Sequence, residues 1–196
     1  MSNRIGIILA LLAFVIAVPG HANATADVPV AKQTVLKKYL SAKETFDEVT
    51  NNRSKVLFID VRTSAELLFV GATAEIDTHI PFAEMVHPAT WDAAKKSFKL
   101  APNTSFVANV DAALRQKGLS KSDTVIVMCR SGTRSAKSVN VLAAAGYTNV
   151  YSVHDGFEGD TSKEGRRTID GWKNAGLPWS YKLDGTKIPA ASQTSK

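Results

Sequence analysis

Two short runs in the chain are apolar at every position and lead directly to a residue that can do chemistry. Residues 56–59 precede Asp60, and residues 125–128 precede Cys129. Apolar runs that are rich in β-branched residues and lack polar alternation are typical of strands buried on both faces of a parallel sheet. We therefore predict two central strands, one ending at Asp60 and the other just before Cys129.

Segments with helical patterns alternate with these strands. Strand–helix alternation is typical of an α/β domain with a mostly parallel sheet, in which functional sites gather beyond the carboxyl ends of the strands. Residues 83–103 form a long connection, which is either added structure or a functional rim. Two helices are predicted to begin at residues 41–44, with a capping box, and at 63–68. Two further helices are predicted over 104–117 and from 136 towards Gly146. Weaker strands are predicted at 38–40, at 79–82 and, as the last strand, at 149–153.

The first 24 residues have the pattern of an export signal. Arg4 precedes an apolar run over residues 5–18, and Ala22-Asn23-Ala24 provides a small-residue cleavage site; a cut after Ala26 is the alternative. The run is shorter than the roughly 20 residues that a membrane-spanning helix needs. We expect a cleaved signal peptide, a periplasmic protein and no stable membrane insertion after cleavage. The remaining chain is divided into a polar lead (25–35), one domain (36–183) and a polar tail (184–196).

The chain is basic, with 24 Lys and Arg against 18 Asp and Glu, a formal charge of +6. A basic surface favours anionic small molecules and acidic partners. The basic residues are scattered and no basic run alternates with aromatic residues, so nucleic acid is not expected as a partner. His79, His87 and His154 lack the spacing of metal ligands, and no metal site is expected.

Cys129 is the only cysteine of the 196 residues. A single cysteine cannot form an internal disulfide, so in an exported protein it is a buried apolar residue, an intermolecular bridge or a reactive thiol. It opens a loop between a predicted strand and a predicted helix, where backbone N–H groups and the helix dipole favour negative charge. Gly132 lets the loop backbone turn. Such a loop would suit a thiolate, a persulfide or a bound oxyanion.

Three segments together resemble a single-domain rhodanese, a sulfurtransferase family. The loop from Cys129 to Ser135 matches the cysteine loop of that family. Residues 59–66 are similar to its Asp-Val-Arg segment with an acid four residues later, and residues 171–178 resemble its closing segment. The resemblance implies a rhodanese-like three-layer α/β domain, with a central, mostly parallel sheet of about five strands flanked by helices.

The resemblance also implies a reaction. The Cys129 thiolate would take sulfur from a small anionic donor such as thiosulfate, and a persulfide would remain until cyanide, a thiol or a protein acceptor removes the outer sulfur. No cofactor is implied. Asp60 and Arg62 are expected to steady the loop rather than to react. The loop residues expected to bind the donor or steady the persulfide are Arg130, Ser131, Gly132, Thr133, Arg134 and Ser135.

Several alternatives stay open for the residues of the loop and its surroundings. Arg130 is expected to project outward and bind the donor, whereas Arg134 binds the donor or pairs with an internal carboxylate. The hydroxyl groups of the loop either donate hydrogen bonds to the site or cap the following helix. The family's Gly-His-Ile segment is interrupted between Gly71 and His79, and residues 158–170 look inserted. These departures concern the rim of the site and the choice of substrate.

Other functions compete with sulfur transfer. A cysteine phosphatase or an arsenate reductase would place arginine six positions after the cysteine, whereas Arg134 lies five positions after Cys129. The shorter loop suits a sulfur atom better than a tetrahedral phosphate. A rhodanese-like module that carries sulfur or binds a partner without turnover is the remaining alternative.

Overall fold

The computed structural model describes residues 28–189; the predicted signal peptide with both cleavage positions, and residues 190–196, lie outside the described residues. The helices are α1 (Ala42–Asn51), α2 (Ser64–Val70), α3 (Phe106–Gln116) and α4 (Thr133–Ala144). The strands are β1 (Tyr39–Leu40), β2 (Val56–Asp60), β3 (Thr78–His79), β4 (Ala83–Met85), β5 (Trp91–Asp92), β6 (Ser97–Phe98), β7 (Leu100–Pro102), β8 (Thr124–Met128), β9 (Val150–Val153), β10 (Asp160–Thr161) and β11 (Arg167–Ile169). Short 3₁₀ helices cover Val30–Lys32, Arg53–Lys55 and Gly185–Lys187.

The centre of the fold is a five-stranded sheet in the order β1-β9-β8-β2-β3. Every pair of neighbouring strands in it is parallel. The predicted α/β fold with a central parallel sheet of about five strands is thereby confirmed. The longest pairing joins β2 to β8, from Val56 opposite Thr124 to Asp60 opposite Met128. The carboxyl ends of these two strands therefore lie side by side.

Alternate side chains of the central strands enter two separate cores. Leu57 and Val125 belong to the core that α3 and α4 cover, whereas Phe58 and Ile126 belong to the core that contains α1 residues and Trp172. Both faces of β2 and β8 are thus buried, which is why their sequences show no polar alternation. The result is a three-layer domain with the sheet in the middle.

The helix starts predicted at 41–44 and 63–68 are confirmed, whereas the helix predicted over 104–117 begins at Phe106 and the one predicted from 136 begins at Thr133. Ser41 and Thr63 are the N-caps of α1 and α2, and each forms a complete capping box, with Glu44 and Glu66 respectively. The predicted strand at 79–82 is shorter, because β3 ends at His79 and Pro81 has no N–H to donate to a neighbouring strand. Residues 149–153 do contain β9, but it is not the last strand.

Two additions extend from the domain as antiparallel hairpins. Residues 83–103 hold the pairs β4–β7 and β5–β6, with the exposed rings of Trp91 and Phe98 packed edge to face. The second addition is the β10–β11 hairpin, which lies within the segment 158–170 that the sequence marks as inserted. Within the described part of the chain, no helix is both long and apolar enough to cross a bilayer.

Candidate active site

The candidate site lies where β2 and β8 end. Asp60 is the last residue of β2, and Cys129 follows the last residue of β8. The Val61 amide donates to the Met128 carbonyl at 2.9 Å, so the chain segments beyond the two strands stay in contact. From Cys129 the loop turns directly into α4, which begins at Thr133. The expected strand, loop and helix therefore follow one another as the sequence indicates.

The Cys129 sulfur is enclosed by its own loop. The residue is 1% exposed and forms no disulfide. The Gly132 amide donates a hydrogen bond to Sγ at 3.2 Å, and the thiol donates to the Ser135 hydroxyl at 3.6 Å. A backbone amide at the start of a helix stabilises negative charge on sulfur. The loop thus holds the sulfur between an amide of the turn and a hydroxyl of the first turn of α4.

Ser135 connects the sulfur to a second buried hydroxyl. Its Oγ donates to the Gly132 carbonyl at 2.8 Å and accepts from Ser152 Oγ at 2.9 Å. Ser152 lies fully buried in β9. The sequence reasoning missed Ser152, although a lone serine inside the apolar strand 150–153 was a usable signal. Together the two serines fix the position of the hydroxyl that faces Cys129.

Gly132 occupies a position that no other residue fits. Its φ is +94°, a left-handed conformation that favours glycine. A Cβ at this position would lie 2.1 Å from the carbonyl oxygen of His154. The loop is therefore packed directly on the backbone that leaves β9.

Arg134 is bound by a carboxylate of α2. Its two terminal nitrogens donate to Glu66 at 2.6 and 2.5 Å, and Glu66 also accepts the N–H and hydroxyl of Thr63. Burial raises the pKa of Glu66, but the hydrogen bonds and charge of Arg134 outweigh it and lower the pKa to about 2. Burial likewise lowers the pKa of Arg134, and the same pair raises it above the ordinary value. Of the two open roles, the structure shows the internal pairing.

Arg130 has a different environment. Its Nε donates to Glu158 at 2.6 Å, and its side chain is 43% exposed. The backbone of this region is tied to the loop, because the amides of Phe157 and Glu158 donate to the carbonyls of Cys129 and Arg130 at 2.8 and 2.9 Å. Arg130 therefore projects to the surface beside the cysteine, with one carboxylate partner.

Asp60 and Arg62 form a fully buried ion pair behind the loop. Arg62 Nη2 donates to Asp60 Oδ2 at 2.6 Å, and Nε donates to the same carboxylate at 3.0 Å. The guanidinium of Arg62 lies 3.9 Å from the centre of the Phe157 ring, and the Phe157 amide in turn binds the Cys129 carbonyl. The pair thus supports the backbone that holds the loop, while its own atoms are closed to solvent.

Fold and site together define a class of protein: an α/β domain with a cysteine at the carboxyl end of a buried parallel strand, held by the turn that starts a helix. The family model for a rhodanese-like domain matches residues 43–163. The chain therefore belongs to the rhodanese-like domain family, which confirms the resemblance seen in the sequence. Membership connects it with sulfur transfer in general.

The chain is also similar to individual proteins and to a solved structure. The chain is 31% identical over 134 residues to uncharacterized protein RP600 of Rickettsia prowazekii, which covers 68% of this chain and 88% of that protein. It is 34% identical over 87 residues to the thiosulfate sulfurtransferase GlpE of Actinobacillus succinogenes, covering 44% and 68%. The crystal structure of Rv0390 from M. tuberculosis superposes with a TM-score of 0.55 at 29% identity, over 74% of this chain and 98% of that one.

Proposed function

We propose that this protein is a sulfurtransferase that moves sulfane sulfur from a donor such as thiosulfate to a thiophilic acceptor through a persulfide on Cys129. The observation that carries the proposal is the Gly132 amide, which donates to Sγ in the turn that starts α4. The amide and the helix N-terminus would stabilise both the thiolate and the persulfide anion that replaces it.

The reaction consists of two displacements at sulfur. In the first, the Cys129 thiolate attacks the outer sulfur of thiosulfate; a new S–S bond forms, the S–S bond of the donor breaks, and sulfite leaves with the electron pair. In the second, cyanide or a thiolate attacks the terminal sulfur of the persulfide. That S–S bond breaks, and the Cys129 thiolate is restored together with thiocyanate or a new persulfide.

The surrounding residues have distinct roles in this proposal. Arg130 is the half-exposed cation beside the cysteine, so it binds the anionic donor. Ser135 faces the sulfur and can turn its hydroxyl towards a thiolate. Two ion pairs, Asp60 with Arg62 and Arg134 with Glu66, hold the loop in place and do not contact the donor.

The position of Arg134 favours sulfur transfer over phosphoryl or arsenate chemistry. A phosphatase loop needs an arginine whose planar fork binds two oxygens of the substrate. Both terminal nitrogens of Arg134 bind Glu66 instead. A tetrahedral oxyanion in the loop would therefore find no free Arg134 guanidinium to bind two of its oxygens.

One observation supports a second candidate, a sulfur carrier that releases its cargo only to a particular partner. The Cys129 side chain is almost fully buried, so an acceptor must enter the loop to reach the persulfide. A carrier would form the persulfide but would transfer it slowly to small acceptors. Turnover with cyanide separates the two candidates.

The experiment uses the mature protein. Intact mass after thiosulfate treatment is expected to increase by one sulfur, and because the chain has one cysteine the addition is assigned to Cys129. Thiosulfate and cyanide together are expected to yield thiocyanate. Cys129→Ser should abolish both signals, and thiocyanate production at the normal rate in this variant would refute the mechanism.

We further propose that the protein works in the periplasm as a single domain, after cleavage of residues 1–24. The motivation is the pattern of Arg4, the apolar run at 5–18 and the Ala22-Asn23-Ala24 site. The mass of protein recovered from the periplasmic fraction would distinguish cleavage after Ala24 from cleavage after Ala26. Recovery of the full-length chain would contradict the proposal.

A further inference from the structure

In the part of the chain that the structure describes, three of the cations around the cysteine loop are each bound by a carboxylate. Two of these pairs are Arg130 with Glu158 and Arg134 with Glu66. The third is Lys32, whose Nζ lies 2.6 Å from Asp160 Oδ2. The Lys32 side chain is only 9% exposed, and its Cδ lies 2.9 Å from the point where Gly132 would carry a Cβ. Lys32 thus lies directly on the loop, although it comes from the N-terminal 3₁₀ helix.

Two of the three carboxylates come from one short stretch. Glu158 and Asp160 stand at the start of the β10–β11 hairpin, the segment that the sequence marks as inserted. Gly159 between them has a φ of +76°, and a Cβ there would lie 2.1 Å from the carbonyl oxygens of Ile169 and Asp170. The base of the hairpin is therefore tightly closed, which holds both carboxylates next to the loop.

These ion pairs weaken the electrostatic attraction of the loop for anions. An unpaired Arg130 and Lys32 would present two positive charges to an incoming anion. With Glu158 and Asp160 in contact, the net charge of the two pairs is zero, and a dianion approaching Arg130 also meets the field of Glu158. A donor or acceptor of low charge meets no such opposition.

We propose that the start of the β10–β11 hairpin sets the substrate charge of this site, through Glu158 on Arg130 and Asp160 on Lys32. The preferred donors and acceptors are persulfides and thiols that carry at most one negative charge near the reacting sulfur, and multiply charged anions such as thiosulfate bind weakly. The inference rests on the proposed sulfur transfer. With a persulfide donor, the Cys129 thiolate attacks the outer sulfur, the S–S bond of the donor breaks, and the donor's thiolate leaves.

The test compares carboxylate variants of equal shape. Glu158→Gln keeps an oxygen for the Arg130 Nε–H but removes the charge, and Asp160→Asn does the same for Lys32. Glu164→Gln is the matched control, because Glu164 is an exposed carboxylate on the same hairpin. Kinetics would be measured with thiosulfate as the donor, and with neutral 2-mercaptoethanol and dianionic mercaptosuccinate as acceptors.

The expected result is selective for charge. Glu158→Gln should lower KM for thiosulfate and for mercaptosuccinate by about three- to tenfold with kcat nearly constant, since one opposing charge is removed. KM for 2-mercaptoethanol should stay within about twofold of wild type. Asp160→Asn should act in the same direction but more weakly, because Lys32 is less exposed than Arg130. Glu164→Gln should leave all values unchanged.

Two results would overturn the inference. In the first, Glu158→Gln and Asp160→Asn both leave KM for thiosulfate unchanged or raise it. In the second, Glu158→Gln changes the kinetics with neutral and charged acceptors equally, which would indicate a structural role. Failure of the proposed function itself has a different signature, since the wild-type protein would then gain no sulfur mass from any donor.

Discussion

The two halves of the cysteine loop are built differently. The inner half, residues 132–135, is fixed by backbone contact with His154 and by the two-pronged pairing of Arg134 with Glu66. The outer half, residues 129–131, carries the sulfur and places Arg130 at the surface with a single carboxylate partner. Two arginines four positions apart thus differ in role, since Arg134 holds the loop in place and Arg130 lies at the surface. Substitutions in the inner half should change stability, and substitutions in the outer half should change substrate binding.

The largest loss of stability is expected from Gly132→Ala, in the inner half of the loop. The variant would carry a side chain at φ +94° and force it against the His154 carbonyl, which we expect to lower the free energy of unfolding by about 3 to 5 kcal/mol. Gly118→Ala is the control, because Gly118 has φ +71° but no atom within 4 Å of the added Cβ. It should lose only about 1 kcal/mol. Equal losses in urea unfolding would show that the loop is not fixed at Gly132.

The second prediction compares the stability effects of the two carboxylates that pair with the arginines, Glu66 and Glu158. Glu66→Gln leaves the mostly buried Arg134 without its counter-charge, and we expect it to cost about 2 to 4 kcal/mol of unfolding free energy. Glu158→Gln makes the same chemical change at a half-exposed arginine and should cost less than about 1 kcal/mol. Urea titration of both variants measures the difference. A larger loss in Glu158→Gln would reverse the assignment of the inner and outer halves.

The sequence predicted the framework of the site but not its charge pairs. The apolar runs before Asp60 and Cys129 identified the central strands, because full burial removes polar alternation, and parallel pairing brings their carboxyl ends together. The pairs that distinguish the two arginines join residues that are distant in the chain. Arg134 and Glu66 are 68 positions apart and Arg130 and Glu158 are 28 apart. No local periodicity encodes such pairings, which depend on how the loops pack.

The same limit applies to the hairpins and to Lys32. The strands β5, β6 and β10 have two residues each, too few to show the alternation that identifies a strand. Lys32 lies 128 positions from Asp160 in a segment that reads as a polar lead. Among the residues of these charge pairs, Glu66 had a local signal, because its spacing from Thr63 predicts a capping box.

A third prediction uses pH to test the inner half. The pKa of Glu66 is about 2 in the folded protein against an ordinary 4.5, because the hydrogen bonds and charge of Arg134 outweigh the opposing effect of burial. Its ionisation therefore adds stability that is fully present above about pH 4.5 and is lost as the pH falls towards 2. The difference in unfolding free energy between wild type and Glu66→Gln should shrink by about 2 to 3 kcal/mol over this range. A difference that stays constant with pH would contradict the pairing.

The smallest expected effect tests the outer half. Arg130→Met should raise KM for thiosulfate about tenfold, equivalent to about 1.4 kcal/mol. Two causes contribute, since the variant loses a cation and leaves the Glu158 carboxylate unpaired next to the cysteine loop. Arg166→Met, which removes an exposed arginine from the β10–β11 hairpin, should leave KM unchanged.

The double variant Arg130→Met with Glu158→Gln separates these two causes. If the unpaired carboxylate contributes, the double variant will bind thiosulfate better than Arg130→Met alone, because the repelling charge has gone as well. A KM equal to that of Arg130→Met would mean that Glu158 exerts no field at the sulfur. In that case the difference between the halves of the loop would come from the exposure of Arg130 alone, and the hairpin carboxylate would only hold the guanidinium in place.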